Sequence, residues 1–172
     1  ENFDGIIYAT FVSLGFAGLE NVFYVLSGFS EGGATGGNTI AILRALTAVP
    51  GHFLFGVAMG YYLSKAKFEP HGQKLNLAKA IAFPMLLHGT YDFICFSTQA
   101  GSISKQYIGL TVAIVFAFLV FNFFLWRHGI RKIRELRNKD LDILVSNKRQ
   151  QHLQKSSLPN DMPYSNQHPR PR

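Results

Sequence analysis

Residues 5–29, GIIYATFVSLGFAGLENVFYVLSGF, run through 25 positions with one charged side chain, Glu20. A helix rises about 1.5 Å per residue and the hydrocarbon core of a bilayer is about 30 Å thick, so about 20 apolar residues suffice to cross it. Three further stretches meet the same condition, at about 40–64, 77–97 and 107–126. The fold class is therefore all-α, a polytopic transmembrane helical bundle with four spans over residues 1–129.

The composition agrees, with 48% hydrophobic, 14% aromatic and only 16% charged side chains. The net charge of +7 belongs to one end: six Lys or Arg precede Trp126, whereas eleven follow it together with four acids. Such an end beside a long apolar stretch is a juxtamembrane anchor rather than a nucleic-acid site. Residues 30–38, SEGGATGGN, form a glycine-rich turn with no basic residue. Lys65, Lys67, Lys74 and Lys79 cluster after the second span, and Lys105 stands alone after the third. The Lys-rich loop and the tail then lie in the cytoplasm and the two Lys-poor loops outside.

Residues 130–150 read as a basic amphipathic helix suited to anionic lipid, and 151–172, rich in Pro, Ser, Asn and Gln, as a disordered tail. Cys95 lies in an apolar run and offers neither a disulfide nor a thiolate metal site. The chain opens on Glu1 and shows no signal-peptide pattern, which reads as a piece of a longer protein.

Ionisable groups inside a span cost several kcal/mol unless paired, hydrated or bound to an ion. They are Glu20 in the first span, Arg44 and His52 in the second, and His88 and Asp92 in the third; the fourth has Asn122, read as glue between helices. From the helical rise, Glu20 lies roughly 22 Å and His88 roughly 16 Å from the inner face, and His52 roughly 18 Å from the outer face. The three fall in one slab. Gly15, Ala17 and Gly18 before Glu20, Gly51, Gly56 and Gly60 around His52, and Gly89 after His88 predict close helix approach. Pro50 and Pro84, ahead of the two histidines, bend their helices. His88 and Asp92, four apart, share a face. A structural reading competes for each residue: Glu20 paired with Arg44, Arg44 snorkelling to the outer face, the histidines joining helices.

The segments Asp4 to Tyr8, Ser13 to Asn21 with Glu20, Arg44 followed by His52, and Leu87 to Phe93 with His88 and Asp92 resemble the PrsW family of intramembrane proteases, from about Asp4 to Trp126. The resemblance implies a protease-like core over 1–129 that hydrolyses a peptide bond in a membrane-anchored protein. Its bacterial prototype makes the first cut in an anti-sigma factor during envelope stress signalling, which implies a bacterial inner membrane location. Glu20, His52 and His88 correspond to family positions proposed to hold the metal or the attacking water, with zinc the expected divalent ion. Asp92 matches a position thought to steady the oxyanion, and Asn21 and Arg44 support the site. Related endopeptidases leave a second route, in which Glu and His activate water without a tightly held metal. No His-Glu-x-x-His helix is present, so the metal rests on the constellation and the resemblance. The family also carries a Glu-Glu-x-x-Lys motif ahead of the Asp-Gly segment, and this chain has none; by itself it is expected to be inactive. A transporter or proton relay, and a membrane adaptor without catalysis, are the competing functions.

Overall fold

The computed structural model describes residues 1–69, 71–102 and 108–156. They form four helices, α1 (Asp4–Leu46), α2 (Ala48–Phe68), α3 (Gln73–Ser102) and α4 (Ile108–Ser156), with no strand among the described residues.

Helix α1 is a hairpin of two arms. Its one non-helical residue is Gly33, at φ 60° and ψ −154°, a conformation that a Cβ disfavours. The chain reverses there, so that Gly28 faces Gly36, Gly37 and Ile40 and Arg44 returns to Glu20 and Asn21. The glycine-rich turn expected over 30–38 thus contracts to one residue with helix on either side. Helix α2 begins after Thr47. Pro50 has no N–H to offer Leu46, which interrupts the ladder, while Gly51 N–H still reaches Thr47 O at 3.0 Å. Pro84 lies inside α3 without ending it.

Among the described residues, two stretches are long and apolar enough to cross a membrane: 4–68, which contains the reversal at Gly33, and 112–156. The distribution of polarity suits a lipid surround. Phe11 is 73% exposed and Phe93 72%, whereas His52 is 3% exposed. Large apolar rings face outward and the imidazole faces the bundle, as hydrocarbon requires.

Helix α2 is the central rod. Leu54 and Phe55 pack with Tyr91 of α3 and Leu125 of α4, and Val57 and Tyr61 pack with Ile6 of α1 and Leu136 of α4. Its seam with α1 is built on Gly56 and Gly60. A Cβ at Gly56 would meet Thr10 Cα at 2.7 Å, and one at Gly60 would meet Gly5 O and Ile6 Cα. The backbones therefore touch, and Ser13 Oγ donates to His52 O at 2.6 Å. Close approach was also expected at Gly15, Gly18 and Gly89. Each of these faces open space, because they lie on faces that the four helices leave uncovered.

Helix α4 runs unbroken to Ser156, so residues 130–150 continue the fourth apolar segment instead of forming a separate element, and 151–156, expected in the tail, are helical. Ile133 and Leu136 dock on the α1–α2 base, while Leu141, Leu144 and Val145 stay exposed. Residues 157–172 of the expected tail lie outside the described residues. Asn122 donates to Phe118 O of its own helix at 2.8 Å, so the expected bond between helices is replaced by one along α4, four residues back.

A polar clasp closes this base. Asp140 accepts from the N–H groups of Asn2 and Phe3 at 2.9 and 2.7 Å and from the Asn2 amide at 2.7 Å, at the positive end of α1. Burial works against the Asp140 anion, yet these hydrogen bonds hold its carboxyl below the ordinary value. Burial likewise opposes the Glu135 anion, and the Tyr61 hydroxyl at 2.8 Å together with Lys132 at 3.2 Å holds its pKa low.

Candidate metal centre

Three helices deliver one side chain each to a common point: Glu20 from the first arm of α1, His52 from the first turns of α2, and His88 from the middle of α3. Glu20 Oε2 lies 3.0 Å from His52 Nε2, and Glu20 Oε1 lies 3.6 Å from His88 Nε2. One candidate ligand atom from each falls within 4.8 Å of the others. Of the residues singled out in the sequence, these three meet directly. Arg44, Asn21 and Asp92 form a ring around them.

The surrounding contacts fix each group. Arg44 uses two different nitrogens: Nη2 donates to Glu20 Oε2 at 3.1 Å, and Nε donates to Asn21 Oδ1 at 2.6 Å. Its guanidinium lies 4.2 Å from the centre of the Tyr24 ring. Arg44 was expected to have the option of snorkelling outward. It turns inward instead, because the reversal at Gly33 returns the second arm of α1 along the first. Asp92 Oδ2 stands 3.6 Å from His88 Nε2, one turn along α3.

Two aromatic rings enclose the imidazoles. Phe16 packs on His52 and His88 at 5.7 and 5.9 Å between ring centres, and Phe55 packs on both at 5.5 and 5.7 Å. The imidazoles are 4.9 Å apart, centre to centre. Sequence reasoning missed Phe16, Phe55 and Tyr24. The available signal was spacing: Phe16 is four residues before Glu20, Tyr24 four after it, and Phe55 three after His52, all same-face intervals on a helix.

Do these residues fit a metal ion? Donor atoms about 2.0–2.2 Å from zinc in tetrahedral array stand about 3.3–3.6 Å apart. His52 and His88 lie 3.0 and 3.6 Å from different oxygens of Glu20, and one donor from each residue falls within 4.8 Å of the others, a spread that small side-chain shifts bring to that spacing. His88 Nε2 is buried and has no hydrogen-bond partner among the described residues. An orphaned imidazole nitrogen of that kind is costly unless something is bound to it. Two nitrogens and a carboxylate oxygen are also a donor set that zinc accepts. The residues fit a divalent cation.

A cavity of about 510 Å³ opens beside the cluster, bordered by Arg44 and Asp92 and extended by Tyr24, Ser27, Glu31 and Phe118. Arg44 and Asp92, in contact with Glu20 and His88, link it to the cluster.

A family model described as PrsW family intramembrane metalloprotease matches residues 1–123. Among curated relatives, each described as Protease PrsW, that of Oceanobacillus iheyensis is 47% identical over 94 residues, 55% of this chain and 40% of that protein. That of Clostridioides difficile is 35% identical over 151 residues, 87% of this chain and 57% of the relative. That of Bacillus subtilis is 36% identical over 142 residues, 82% and 56% respectively. The chain spans about half the length of the curated relatives it matches. No solved structure matches it.

Proposed function

The chain belongs to the PrsW family of intramembrane metalloproteases, and on that premise we propose that the whole protein cleaves a membrane-anchored protein with Glu20, His52 and His88 as its metal ligands. The observation that carries the reading is the convergence of these three side chains within 4.8 Å around an imidazole nitrogen that makes no hydrogen bond among the described residues. Zinc is the ion proposed. Four membrane crossings, at about 5–29, 40–64, 77–97 and 107–126, would bring the ligands to one depth, with the basic end in the cytoplasm of a bacterial cell.

A divalent cation in this setting supplies Lewis acidity and a water of lowered pKa. The remaining chemistry belongs to the chain. Phe16 and Phe55 restrict the two imidazoles and keep bulk water from their faces. Arg44, held by Asn21 and Tyr24, fixes the orientation of the Glu20 carboxylate and presents a cation where a carbonyl oxygen gains negative charge. Asp92 stands at the junction of the cavity and His88, suited to orienting a water or a peptide group. An extended peptide segment enters by this cavity. The general base is assigned by resemblance to a paired-Glu motif; no Glu-Glu pair occurs in these 172 residues, so we propose that they do not cleave by themselves. An anti-sigma factor is the substrate class proposed.

The test uses the full-length protein and a membrane-anchored reporter. Glu20→Gln, His52→Ala and His88→Ala should each abolish cleavage while the protein stays in the membrane; retained cleavage in any variant removes that residue from the site. For topology, a cysteine replacing Thr35 should label from outside and one replacing Gln73 should not, and the opposite pattern overturns the orientation. The contact chain His52, Glu20, His88, Asp92 also favours a proton relay as second reading. In that case the variants lose proton flux across vesicles and no reporter is cut by the wild type.

A further inference from the structure

A second cavity, of about 360 Å³, is lined by residues of α2, α3 and α4. Its two ends differ in character. Leu87, Phe121, Phe124 and Ala58 form an apolar wall, and Arg127, His128, Arg131 and Lys132 form a basic rim. From Phe121 to Lys132 the wall follows α4 for about 16 Å at the helical rise. Nothing in the catalytic reading uses this groove.

The rim is built by helical spacing. Arg127 and Arg131, and likewise His128 and Lys132, are four apart and stack along one face of α4. Their engagements are unequal. Lys132 is taken by Glu135 at 3.2 Å and lies 4.1 Å from the centre of the Tyr61 ring. Arg127 and Arg131 are exposed and make no ion pair among the described residues. The positive potential registers on His128, whose pKa burial lowers and Lys132 and Arg131 lower further. Gly129 keeps the groove narrow at its base, since a Cβ there would meet Leu54 Cδ2 at 2.6 Å.

We propose that this groove is a binding site for an anionic diacyl phospholipid, with the phosphate on Arg127 and Arg131 and one acyl chain along Phe121, Phe124 and Leu87. Charge complementarity selects this occupant. An apolar trough with unpaired guanidinium groups at its mouth matches a lipid whose head is anionic and whose tail is hydrocarbon. The apolar wall begins at Leu87, the neighbour of His88, so a seated chain would also fix α3 next to the candidate metal centre.

The test is native mass spectrometry of the full-length protein released from neutral micelles after titration with phosphatidylglycerol or phosphatidylcholine of the same acyl composition. The wild type should bind its first phosphatidylglycerol at a concentration on the order of tenfold lower than phosphatidylcholine, as two guanidinium contacts allow. Arg127→Gln combined with Arg131→Gln, both exposed and so harmless to folding, should abolish that preference. Arg137→Gln with Lys148→Gln removes the same charge further along α4 and should preserve it. Ala58→Phe, which narrows the trough, should weaken both lipids and leave their ratio intact. Equal affinity for the two lipids in the wild type overturns the proposal, as does a preference that survives the loss of Arg127 and Arg131. Unchanged binding in Ala58→Phe removes the groove and leaves only surface attraction. A dimer peak abolished by Ala58→Phe, without lipid preference, would make the trough a contact between two copies and overturn the lipid site.

Discussion

Substituting Gly60 by Ala tests whether backbone contact between α1 and α2 sets the candidate site. A methyl at this position would fall on Gly5 O and Ile6 Cα, closer than any nonbonded contact allows, and one at Gly56 would fall 2.7 Å from Thr10 Cα and 3.0 Å from Ala9 O. Carbon atoms settle at about 3.5–4.0 Å, so the two helices must part by about 1 Å. Overpacking of this kind costs about 1–3 kcal/mol. The upper end applies to Gly60→Ala, because the obstructing atoms are backbone and cannot swing aside; Gly56→Ala should cost about 2 kcal/mol by the same reasoning. The double variant should cost less than the sum, since helices parted by the first methyl already admit part of the second. Separation also disturbs the Ser13 bond to His52 O, and with it the 3.0 Å distance from His52 to Glu20. Gly15→Ala and Gly18→Ala meet open space and serve as controls, neutral or stabilising by up to about 1 kcal/mol through helix propensity. Unfolding of the protein in mixed micelles by graded denaturing detergent provides the free energies. A Gly60→Ala protein within about 0.5 kcal/mol of wild type would refute the seam, and with it the account of how Glu20 and His52 are brought together.

Arg44→Lys keeps the charge but loses the fork that reaches Glu20 and Asn21 at once; it should cost about 1–3 kcal/mol in the same unfolding assay, and Glu20→Gln in the same chain should recover part of that. Lowering the pH tests Asp140: its folded pKa lies below the ordinary 3.8, so its contribution is full above that value and is lost as pH falls through the lowered one. Asp140→Asn should cost about 1–2 kcal/mol at pH 7 and flatten the acid limb of stability against pH. Tyr61→Phe removes the hydroxyl that donates to Glu135 and should raise the Glu135 pKa, seen as a shifted carboxylate titration by carbon-13 resonance. Zinc at about a hundred times its dissociation constant should stabilise the full-length protein by about 2.7 kcal/mol, measured as a rise in melting temperature that a chelator reverses and that His88→Ala lacks.

The helical class and the residues of the cluster were legible because hydrocarbon is an unforgiving solvent: Glu20, His52 and His88 are conspicuous where nearly every neighbour is apolar. Rise per residue brought them to a common depth without any knowledge of packing. What sequence could not reveal was azimuth. Gly15, Gly18, Gly56 and Gly60 look alike as small residues, and only the assembled bundle separates the pair pressed against α1 from those facing open space. Arg44 was read either as the partner of Glu20, which the 3.1 Å contact bears out, or as snorkelling to the outer face; depth along a span could not choose between them, because the choice depends on the one glycine that folds α1 back on itself. The aromatic enclosure by Phe16 and Phe55 was hidden by abundance: among 16 phenylalanines, same-face spacing admits Phe23, which is 65% exposed, as readily as Phe16.

Arg44 also decides how the candidate centre tolerates its own charge. Glu20 and Asp92, counted as ionised, contribute two negative charges, and Arg44 offsets one of them through a contact of 3.1 Å. With neutral imidazoles the group carries one net negative charge; a divalent cation would turn that into one net positive charge. The burden in low dielectric is then similar in the two conditions. Without the guanidinium the same cluster would pass from two negative charges to none on loading, which favours tight retention of the ion. In the proposed metal centre Arg44 would therefore stabilise the polar core in the absence of metal at the expense of metal affinity. Neutral replacement by Gln should lower the unfolding free energy and tighten zinc binding at once, two opposed effects that a purely structural arginine would not produce together.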